Sequence, residues 1–361
     1  MIQRERLVQT FLELVQIDSP SGQEAAVAQQ LIALLQEVGA DAGLDGHGNV
    51  IASLAGRGEP LLLSAHMDTV QPGEGIKPII EGDLIRTDGS TVLGGDPKAG
   101  VAAILEALRA LREDGLAHRA VEVAFSRGEE IGLVGARHLD YERVRARQAL
   151  VFDGEGSVAN ITSEAPSHLT LDLTITGRAA HAGVEPEKGI SAIRIAAEFI
   201  DAYPQGRHDA ETTGNIGLMR AGSARNAVPE EAFVQAELRS RDTEKLQRLR
   251  ERVEHSVVAL QAKYPEARLD LAVDDQYGGY KLSPSDPLVG QASAALRGIG
   301  LEPQLLASGG GTDANVFTTR GIAAVVVGLG GEHFHTKAET VFIPHMIDAA
   351  RFCVAILTAS A

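Results

Sequence analysis

The sequence predicts an α/β fold, with a mostly parallel sheet and helices on both faces, plus an inserted ferredoxin-like α+β domain. Short apolar runs alternate with helical segments over residues 1–165 and again over 274–361, which is typical of parallel strands covered on both sides. Residues 166–273 follow the order βαββαβ, that of a ferredoxin-like layer of helices on an antiparallel sheet. We therefore expect one discontinuous domain, 1–165 with 274–361, and one inserted domain, 166–273. A chain of 361 residues is long enough for two domains.

The elements of the discontinuous domain follow from the spacing of its apolar residues. Leu7, Phe11, Leu14 and Val15 lie on one stripe of a helix over residues 4–17. The other elements predicted before the insertion are a helix at 24–38, a strand at 61–65, a helix at 99–111 and strands at 121–125 and 149–152. After the insertion, the same reasoning predicts a helix at 286–298, a strand at 322–327 and a terminal helix from about residue 344.

The inserted domain begins with strict alternation. Leu169, Leu171, Leu173 and Ile175 are separated by polar residues, which predicts a strand at 168–176 with one buried face. The remaining predicted elements are a helix at 188–202, strands at 215–220 and 231–239, a helix at 243–263 and a strand at 269–273.

Composition argues against several classes of function. The formal charge of −16 disfavours nucleic-acid and anionic-membrane partners. No apolar run approaches the roughly 18 residues of a membrane span, and we expect no secretory signal. The single cysteine, Cys353, excludes an internal disulfide and suits a reducing compartment, so we expect a cytoplasmic protein.

Imidazole and carboxylate side chains recur where predicted strands and loops end. His66 and Asp68 follow the 61–65 strand two residues apart, so Asp68 can hold the far nitrogen of His66. Asp96 lies in a loop after Gly94 and Gly95, where a carboxylate can bridge two ions. We also expect the Asp96–Pro97 peptide bond to be cis. Taken alone, a turn-forming His and Asp and an N-cap aspartate are the plainer interpretations.

Three further segments supply candidate ligands. Glu129 and Glu130 are adjacent and repel each other, so one of them is expected to meet a cation; if Glu130 binds a metal, Glu129 is left as a general base. Asp153 ends the 149–152 strand, at the edge where ligands of open α/β sheets collect. A late segment offers His333 or His335, and the spacing does not choose between them.

These residues together predict a two-metal site. Mixed imidazole and carboxylate ligands suit zinc, and also cobalt or manganese. Two such ions about 3.5–4 Å apart commonly hydrolyse amides and phosphates. An enzyme is therefore the leading interpretation.

Nine segments along nearly the whole chain resemble the two-zinc peptidase family that includes peptidase T, carboxypeptidase G and acyl amino-acid deacylases, and more specifically its peptidase T-like branch. Five metal-ligand motifs in the same order make the resemblance specific. The segments are SAHMDTV, LGGDPKAGVAAIL, SRGEEIGLVGA, VFDGEG, GRAAHAG, RNAVPE, ELRSRD, GGGTDANVF and FHTKAE.

The resemblance implies a role for each candidate ligand. Asp96 would bridge two divalent ions, most simply zinc. His66 and Asp153 would complete the site of one ion, and Glu130 and His335 that of the other.

The resemblance also implies roles outside the ligand set. Glu129 would be the general base and Asp68 would orient His66. The inserted domain would be a lid that mediates homodimerisation, with His181 reaching the active site of the partner subunit and Asn226 lying near the substrate. Without the resemblance, His181 would be interpreted as a loop histidine and Asn226 as a turn former.

The glycine-rich segment departs from the family. Peptidase T and carboxypeptidase G carry an arginine where this chain has Ser308, which weakens transfer of the tripeptide specificity. Arg239 and Arg225 remain as partners for a substrate carboxylate, although a strand-edge salt bridge is the plainer interpretation of each. The following loop, including Gly310, Gly311 and Thr312, can offer backbone N–H groups to substrate.

The predicted function is hydrolysis of amide bonds in small peptides, by an aminopeptidase that acts on di- and tripeptides. A carboxypeptidase or an N-acyl amino-acid deacylase would use the same metal chemistry on a different substrate. A non-catalytic peptide-binding protein is a more distant alternative, because no ligand and no general base is lost. A serine or cysteine hydrolase is disfavoured, since the chain has no G-x-S-x-G segment.

Overall fold

The computed structural model describes residues 1–359, which form two compact units. The larger unit comprises Met1–Glu164, Lys281–Ser308 and the chain from Thr312 onward. The inserted unit comprises Ala165–Tyr280 together with Gly309–Gly311. It extends beyond the expected boundary at residue 273 because its last long strand continues to Tyr277.

Seven of the nine α-helices within residues 1–359 lie close to their predicted positions, because each has an apolar stripe, whereas the two short helices at 134–137 and 313–319 were not predicted. None of the helices in the described part of the chain is both long enough and apolar enough to cross a bilayer. In chain order they are α1 (Arg4–Val15), α2 (Ala25–Glu37), α3 (Gly95–Glu113), α4 (Val134–Arg137), α5 (Ala192–Ala202), α6 (Thr243–Lys263), α7 (Pro287–Gly298), α8 (Asp313–Thr319) and α9 (Ile343–Thr358).

The strands fall into several sheets. In chain order they are β1 (Asp41–Leu44), β2 (Val50–Leu54), β3 (Arg57–His66), β4 (Pro78–Glu81), β5 (Leu84–Thr87), β6 (Arg119–Ser126), β7 (Gln148–Gly154), β8 (Asn160–Ala165), β9 (Ser167–Thr176), β10 (Ala180–His181), β11 (Gly206–Arg207), β12 (Thr212–Ala221), β13 (Ala227–Val228), β14 (Glu231–Ser240), β15 (Arg268–Tyr277), β16 (Tyr280–Lys281), β17 (Gln304–Ala307), β18 (Ala323–Gly328), β19 (Gly331–Glu332) and β20 (Thr340–Phe342).

The main sheet of the larger unit is parallel at its centre and contains antiparallel pairs on both sides of that centre. Its strands run in the order β1-β2-β6-β3-β7-β18-β8, with β17 beside β8. The pairs β6–β3, β3–β7 and β7–β18 are parallel, whereas β1–β2, β2–β6 and β18–β8 are antiparallel. The central strands are apolar on both faces, as buried parallel strands require, and β6 is buried along its whole length. This arrangement confirms the predicted fold class.

Helix α3 approaches strand β7 more closely than a side chain would allow. A Cβ atom at Gly100 would lie 2.6 Å from the Cβ of Phe152 and 2.9 Å from its carbonyl oxygen. Glycine at this position therefore lets the start of α3, which carries Asp96, lie against the strand that carries Asp153.

The inserted unit has the predicted βαββαβ order in β9, α5, β12, β14, α6 and β15. Its sheet runs β11-β12-β14-β9-β15, and every pair in it is antiparallel. The alternating side chains Leu169, Leu171, Leu173 and Ile175 face a core that includes residues of α5 and α6. The other face of β9 is more exposed, which explains the strict alternation in its sequence.

The short strands were not predicted. A small sheet in the larger unit, in the order β19-β20-β5-β4, is built from strands of two to four residues. Segments this short contain too few residues to show the alternation of apolar and polar side chains that marks a strand. They become strands because they pair with other segments in the folded chain.

The close approach at Gly100 gives a prediction for stability. The substitution Gly100→Ala should lower the free energy of unfolding by about 1–3 kcal/mol, because the added methyl group overlaps Phe152. Urea denaturation of purified protein measures this difference.

Gly290 provides the matched control within α7, where a Cβ atom would meet no atom within 4 Å. Gly290→Ala should raise the free energy of unfolding by about 0.5–1 kcal/mol, because alanine favours helix. Equal effects of the two substitutions would mean that the contact between α3 and β7 is not tight.

Candidate metal centre

The central strands of the main sheet bring the candidate ligands to one edge. His66 is the last residue of β3, Glu130 follows β6, and Asp153 is near the end of β7. His335 lies in the chain after β18. Because these four neighbouring strands are parallel, their carboxyl ends meet at the same edge of the sheet.

One group of ligand atoms is formed by His66, Asp96 and Asp153. The Nε2 atom of His66 is 3.2 Å from Oδ1 of Asp96 and 3.5 Å from Oδ1 of Asp153. All three side chains offer a ligand atom within 4.8 Å of the others. This spacing fits one divalent ion between an imidazole and two carboxylates.

A second group shares Asp96 with the first. The Nε2 atom of His335 is 2.9 Å from Oε1 of Glu130 and 3.2 Å from Oδ2 of Asp96. Asp96 thus turns one oxygen towards His66 and the other towards His335. A carboxylate in this position can bridge two ions. The peptide bond from Asp96 to Pro97 is cis, as the sequence predicts.

His335, and not His333, lies beside the carboxylates. Both residues have a positive φ, 61° for His333 and 62° for His335, but only His335 belongs to a candidate ligand group among the described residues. The His335 side chain is 54% exposed, whereas that of His66 is 1% exposed. His335 therefore lies at the solvent side of the cluster.

Asp68 contacts three parts of the site at once. Its Oδ1 atom lies 3.3 Å from Nδ1 of His66 and accepts a hydrogen bond from the backbone N–H of Glu129 at 3.0 Å. Its Oδ2 atom accepts from the Ser21 hydroxyl at 2.6 Å and from the backbone N–H of Glu130 at 3.3 Å. Burial opposes the charge of this carboxylate, but its partners, His66 first among them, lower its pKa to about 2. Asp68 thus lies beside the imidazole of His66 and accepts hydrogen bonds from both N–H groups of the Glu129–Glu130 turn.

The cluster contains more buried negative charge than its own side chains balance. Burial, together with the charge of Asp153, raises the pKa of Glu129 well above its usual value. Burial likewise raises the pKa of Asp153 to about 8, although His66 opposes the shift. Burial would also raise the pKa of Asp96, but the imidazoles of His335 and His66 lower it. Buried carboxylates in such number need cations, and this donor set suits divalent metal ions.

Three buried charged residues around the site were missed from the sequence. Asp313 accepts a hydrogen bond from the Ser126 hydroxyl, and burial raises its pKa to about 6. Lys98 donates from Nζ to the carbonyl oxygen of Ile17 at 3.3 Å. Glu339 accepts hydrogen bonds from the backbone around Asp96. All three lie inside the segments GGGTDANVF, LGGDPKAG and FHTKAE, and that is the only sequence signal that marks them.

His181 and Asn226 lie in the inserted unit and are neighbours there. Strand β10, which ends at His181, pairs with β13, and the N–H of Ala182 donates to the carbonyl oxygen of Asn226 at 3.0 Å. His181 is exposed, and its Nδ1 atom accepts from the N–H of Gly183 at 3.2 Å.

The other predicted substrate-binding residues form different contacts. The Arg239 guanidinium binds the Glu237 carboxylate at 2.9 Å and donates to the Tyr277 hydroxyl at 3.2 Å. Gly311 packs against the same tyrosine, since a Cβ atom there would lie 2.2 Å from the ring. Gly310 is the neighbour of Gly311 in the inserted unit. Thr312 belongs to the larger unit, where it caps α8 with Asn315.

Comparison with protein families identifies two regions. Residues 164–265 match the model of the M20 peptidase dimerisation domain, and residues 49–165 match the model of peptidase family M28. The first match covers most of the inserted unit, and the second covers part of the larger unit that includes His66, Asp96, Glu130 and Asp153.

Relatives along the whole chain agree with these matches. Peptidase T of Clostridium novyi (strain NT) is 30% identical over 391 residues, which cover 94% of this chain and 95% of the relative. The aminopeptidase PepT of Bacillus cereus ATCC 10987 is 38% identical, with a TM-score of 0.91 over 99% of this chain and 98% of that one. A tripeptidase of Staphylococcus aureus subsp. aureus Mu50 is 34% identical, with a TM-score of 0.94 over 99% of each chain.

A more distant structure shares the fold. Bacillus subtilis YXEP, described as a dinuclear metal binding peptidase from the M20 family, is 18% identical with a TM-score of 0.77. The likeness covers 99% of this chain and 98% of that one.

The two late histidines give a prediction for metal binding. The substitution His335→Ala should remove one of two bound divalent ions, because the group of His66, Asp96 and Asp153 remains. His333→Ala is the matched control and should retain both ions. Metal content after loading with Zn²⁺ and removal of the excess measures the stoichiometry. Two ions in His335→Ala at wild-type affinity would contradict the second ligand group.

Proposed function

We propose, from the premise that this chain belongs to the peptidase T-like branch of the M20 peptidase family, that it is a two-metal aminopeptidase of di- and tripeptides. Membership makes the chain a metal-dependent peptidase of the aminopeptidase type. The observation that carries the two-metal proposal is the carboxylate of Asp96, which turns one oxygen towards each of two histidines.

The proposed ligands divide into two sets around that carboxylate. His66 and Asp153 complete one site, and Glu130 and His335 complete the other. The short distances within each set, and the dinuclear metal centre ascribed to the YXEP protein, support this division. Zinc suits these donors, and cobalt or manganese suits them as well. When bound, such ions lower the pKa of water at the site and polarise the scissile carbonyl.

Glu129 is the proposed general base. Its buried carboxylate forms a third candidate ligand group with His66 and Glu130, but neither proposed ligand set requires it. The hydrogen bond from its N–H to Asp68 fixes its backbone. In this position Glu129 takes a proton from the attacking water and passes it to the leaving amine.

We propose that the inserted domain, predicted at 166–273, acts as a lid and joins two copies of the chain. The match to the peptidase dimerisation domain over 164–265 supports this role. His181 would stabilise the oxyanion in the active site of the partner subunit, and Asn226, next to it in the same unit, would contact the substrate. The discontinuous domain, 1–165 with 274–361, would hold the metal pair. The cytoplasmic location stays a prediction.

The proposed substrate follows from the relatives that act on peptides at the N-terminus. The B. cereus relative is described as an aminopeptidase and the S. aureus relative as a tripeptidase, which supports short peptides with a free amine. The Arg239 guanidinium is paired with the Glu237 carboxylate, and Ser308 carries no positive charge. Neither residue therefore supports binding of a substrate carboxylate.

The test compares one tripeptide in three forms, free, N-acetylated and C-amidated, with metal-loaded protein. Cleavage of the free and amidated forms but not the acetylated form is expected of an aminopeptidase. Cleavage of the acetylated form that requires a free carboxylate would instead indicate a carboxypeptidase or a deacylase of acyl amino acids. Binding without cleavage of any form, at full metal content, would indicate a peptide-binding protein.

The proposed general base gives a prediction for activity and metal content. The substitution Glu129→Gln should lower kcat by about 10²–10⁴-fold, because glutamine cannot accept the proton from water. Metal content should stay at the wild-type level, since Glu129 is in neither proposed ligand set. The matched change Glu130→Gln, one residue away, should reduce metal content as well as activity. Turnover of Glu129→Gln within a few-fold of wild type would exclude the proposed role.

The proposed sharing of active-site residues between two subunits gives a prediction for mixed dimers. Glu129→Gln and His181→Ala should each be inactive alone, and a mixture allowed to exchange subunits should recover activity. Roughly a quarter of the wild-type rate is expected, since half of the dimers are mixed and each has one complete site. Mixing two preparations of Glu129→Gln is the control. No recovery, despite exchange demonstrated by mass spectrometry of mixed dimers, would place His181 outside the partner's site.

A further inference from the structure

We propose that Glu339 is a positioning residue for the metal pair. It holds the loop at 93–96, which includes the non-helical start of α3, so that Asp96 presents one oxygen to each ion. The inference rests on the proposed two-metal function and assigns a role to a residue outside both ligand sets.

Both carboxylate oxygens of Glu339 are occupied by the backbone of this loop. Oε2 accepts hydrogen bonds from the N–H groups of Leu93 at 2.7 Å and Gly94 at 2.9 Å, and Oε1 accepts from the N–H of Asp96 at 2.9 Å. The Glu339 residue is only 2% exposed. Buried N–H groups at the N-terminus of a helix need an acceptor from outside the helix, and a single side chain supplies it here.

The backbone of this loop packs closely against the segment that carries Glu339. Gly94 has a φ of 70°, in the left-handed region that favours glycine. A Cβ atom at Gly95 would lie 2.4 Å from Cγ2 of Val341 and 3.1 Å from Oε1 of Glu339. The segment that carries Glu339 and Val341 is therefore in direct contact with the loop backbone on the approach to Asp96.

The hydrogen bonds to the loop depend on the negative charge of Glu339 as well as on the length of its side chain. A carboxylate can accept from all three N–H groups, and such charge-assisted hydrogen bonds are short and strong. A glutamine has one acceptor oxygen, so its NH₂ group would face at least one of the same N–H donors. The substitution Glu339→Gln thus keeps the volume and removes at least one contact with the loop.

The effect should reach both ions, because Asp96 serves both ligand sets. Without the hydrogen bonds from Glu339, the shared carboxylate can rotate or shift. Neither the distance from Asp96 to His66 nor the distance from Asp96 to His335 is then maintained. Partners that orient metal ligands typically change metal affinity by about 10–100-fold. A residue that only stabilises the fold would not change the coordination of the ions.

The experiment titrates metal-free protein with Co²⁺, followed by calorimetry for affinity and by visible absorption for coordination geometry. In Glu339→Gln, both binding steps should weaken by about 10–100-fold, and the absorption bands should change. Glu339→Asp, which keeps the charge but withdraws it by one methylene group, should show a smaller loss at both steps.

Glu122→Gln is the matched control. Glu122 is also 2% exposed and also accepts two backbone hydrogen bonds, from Arg145 and Ala146 at 2.9 Å each, but not from the loop at 93–96. This variant should bind Co²⁺ as wild type does, whatever its effect on melting temperature.

Two results would overturn the proposal: both affinities of Glu339→Gln within about threefold of wild type, or a loss at one step only. If Glu339→Gln does not fold, wild-type affinities in Glu339→Asp would overturn it in the same way. Wild-type protein that binds fewer than two Co²⁺ ions would instead overturn the proposed function on which the inference rests.

Discussion

The burial of several carboxylates in one small volume is the constraint on which the rest of this site depends. Asp96, Glu130 and Asp153 each have an oxygen within 3.9 Å of Nε2 of His66, and their side chains are nearly inaccessible to water. Uncompensated charges of this kind are costly in a protein interior, and each must be protonated or meet a cation. The imidazoles of His66 and His335 offset part of the charge only when they are protonated, and that would remove them as metal ligands. Divalent ions therefore resolve the electrostatic conflict in a way that the side chains alone do not.

Because the carboxylates of the site repel one another, the surrounding structure must hold them in place. The parallel centre of the main sheet brings the ligands to one edge, and the contact at Gly100 keeps the start of α3 beside β7. Asp68 then joins His66 to the Glu129–Glu130 turn through contacts with both. Glu339 does the equivalent for the loop that carries Asp96. Two of the carboxylates, those of Asp68 and Glu339, thus bind backbone, and they are at least as deeply buried as the carboxylates proposed as metal ligands.

Much of the fold could be predicted from the sequence, because long helices and the alternating strand β9 impose their periods on many residues. The strands β4, β5 and β19 have too few residues for that, and only their pairing in the folded chain defines them. The candidate ligands could be proposed from the sequence as carboxylates and histidines at strand ends, whereas the choice of His335 over His333 needed the resemblance, since both lie in one loop. Glu339 could not be predicted because its partners are backbone N–H groups, which every sequence contains.

Charge also bears on which end of a peptide lies near the metal pair. If every carboxylate of this region is ionised, their charge exceeds that of two divalent ions and of Lys98, the nearby buried amine. The acidic side chains concerned are Asp68, Asp96, Glu129, Glu130, Asp153, Asp313 and Glu339. Such surroundings attract the ammonium group of a peptide N-terminus and repel a free carboxylate. A substrate carboxylate would need a cation of its own. Ser308 supplies none and the charge of Arg239 is already met by Glu237, which leaves only Arg225 of the two arginines considered from the sequence. The electrostatics thus favour an aminopeptidase over a carboxypeptidase.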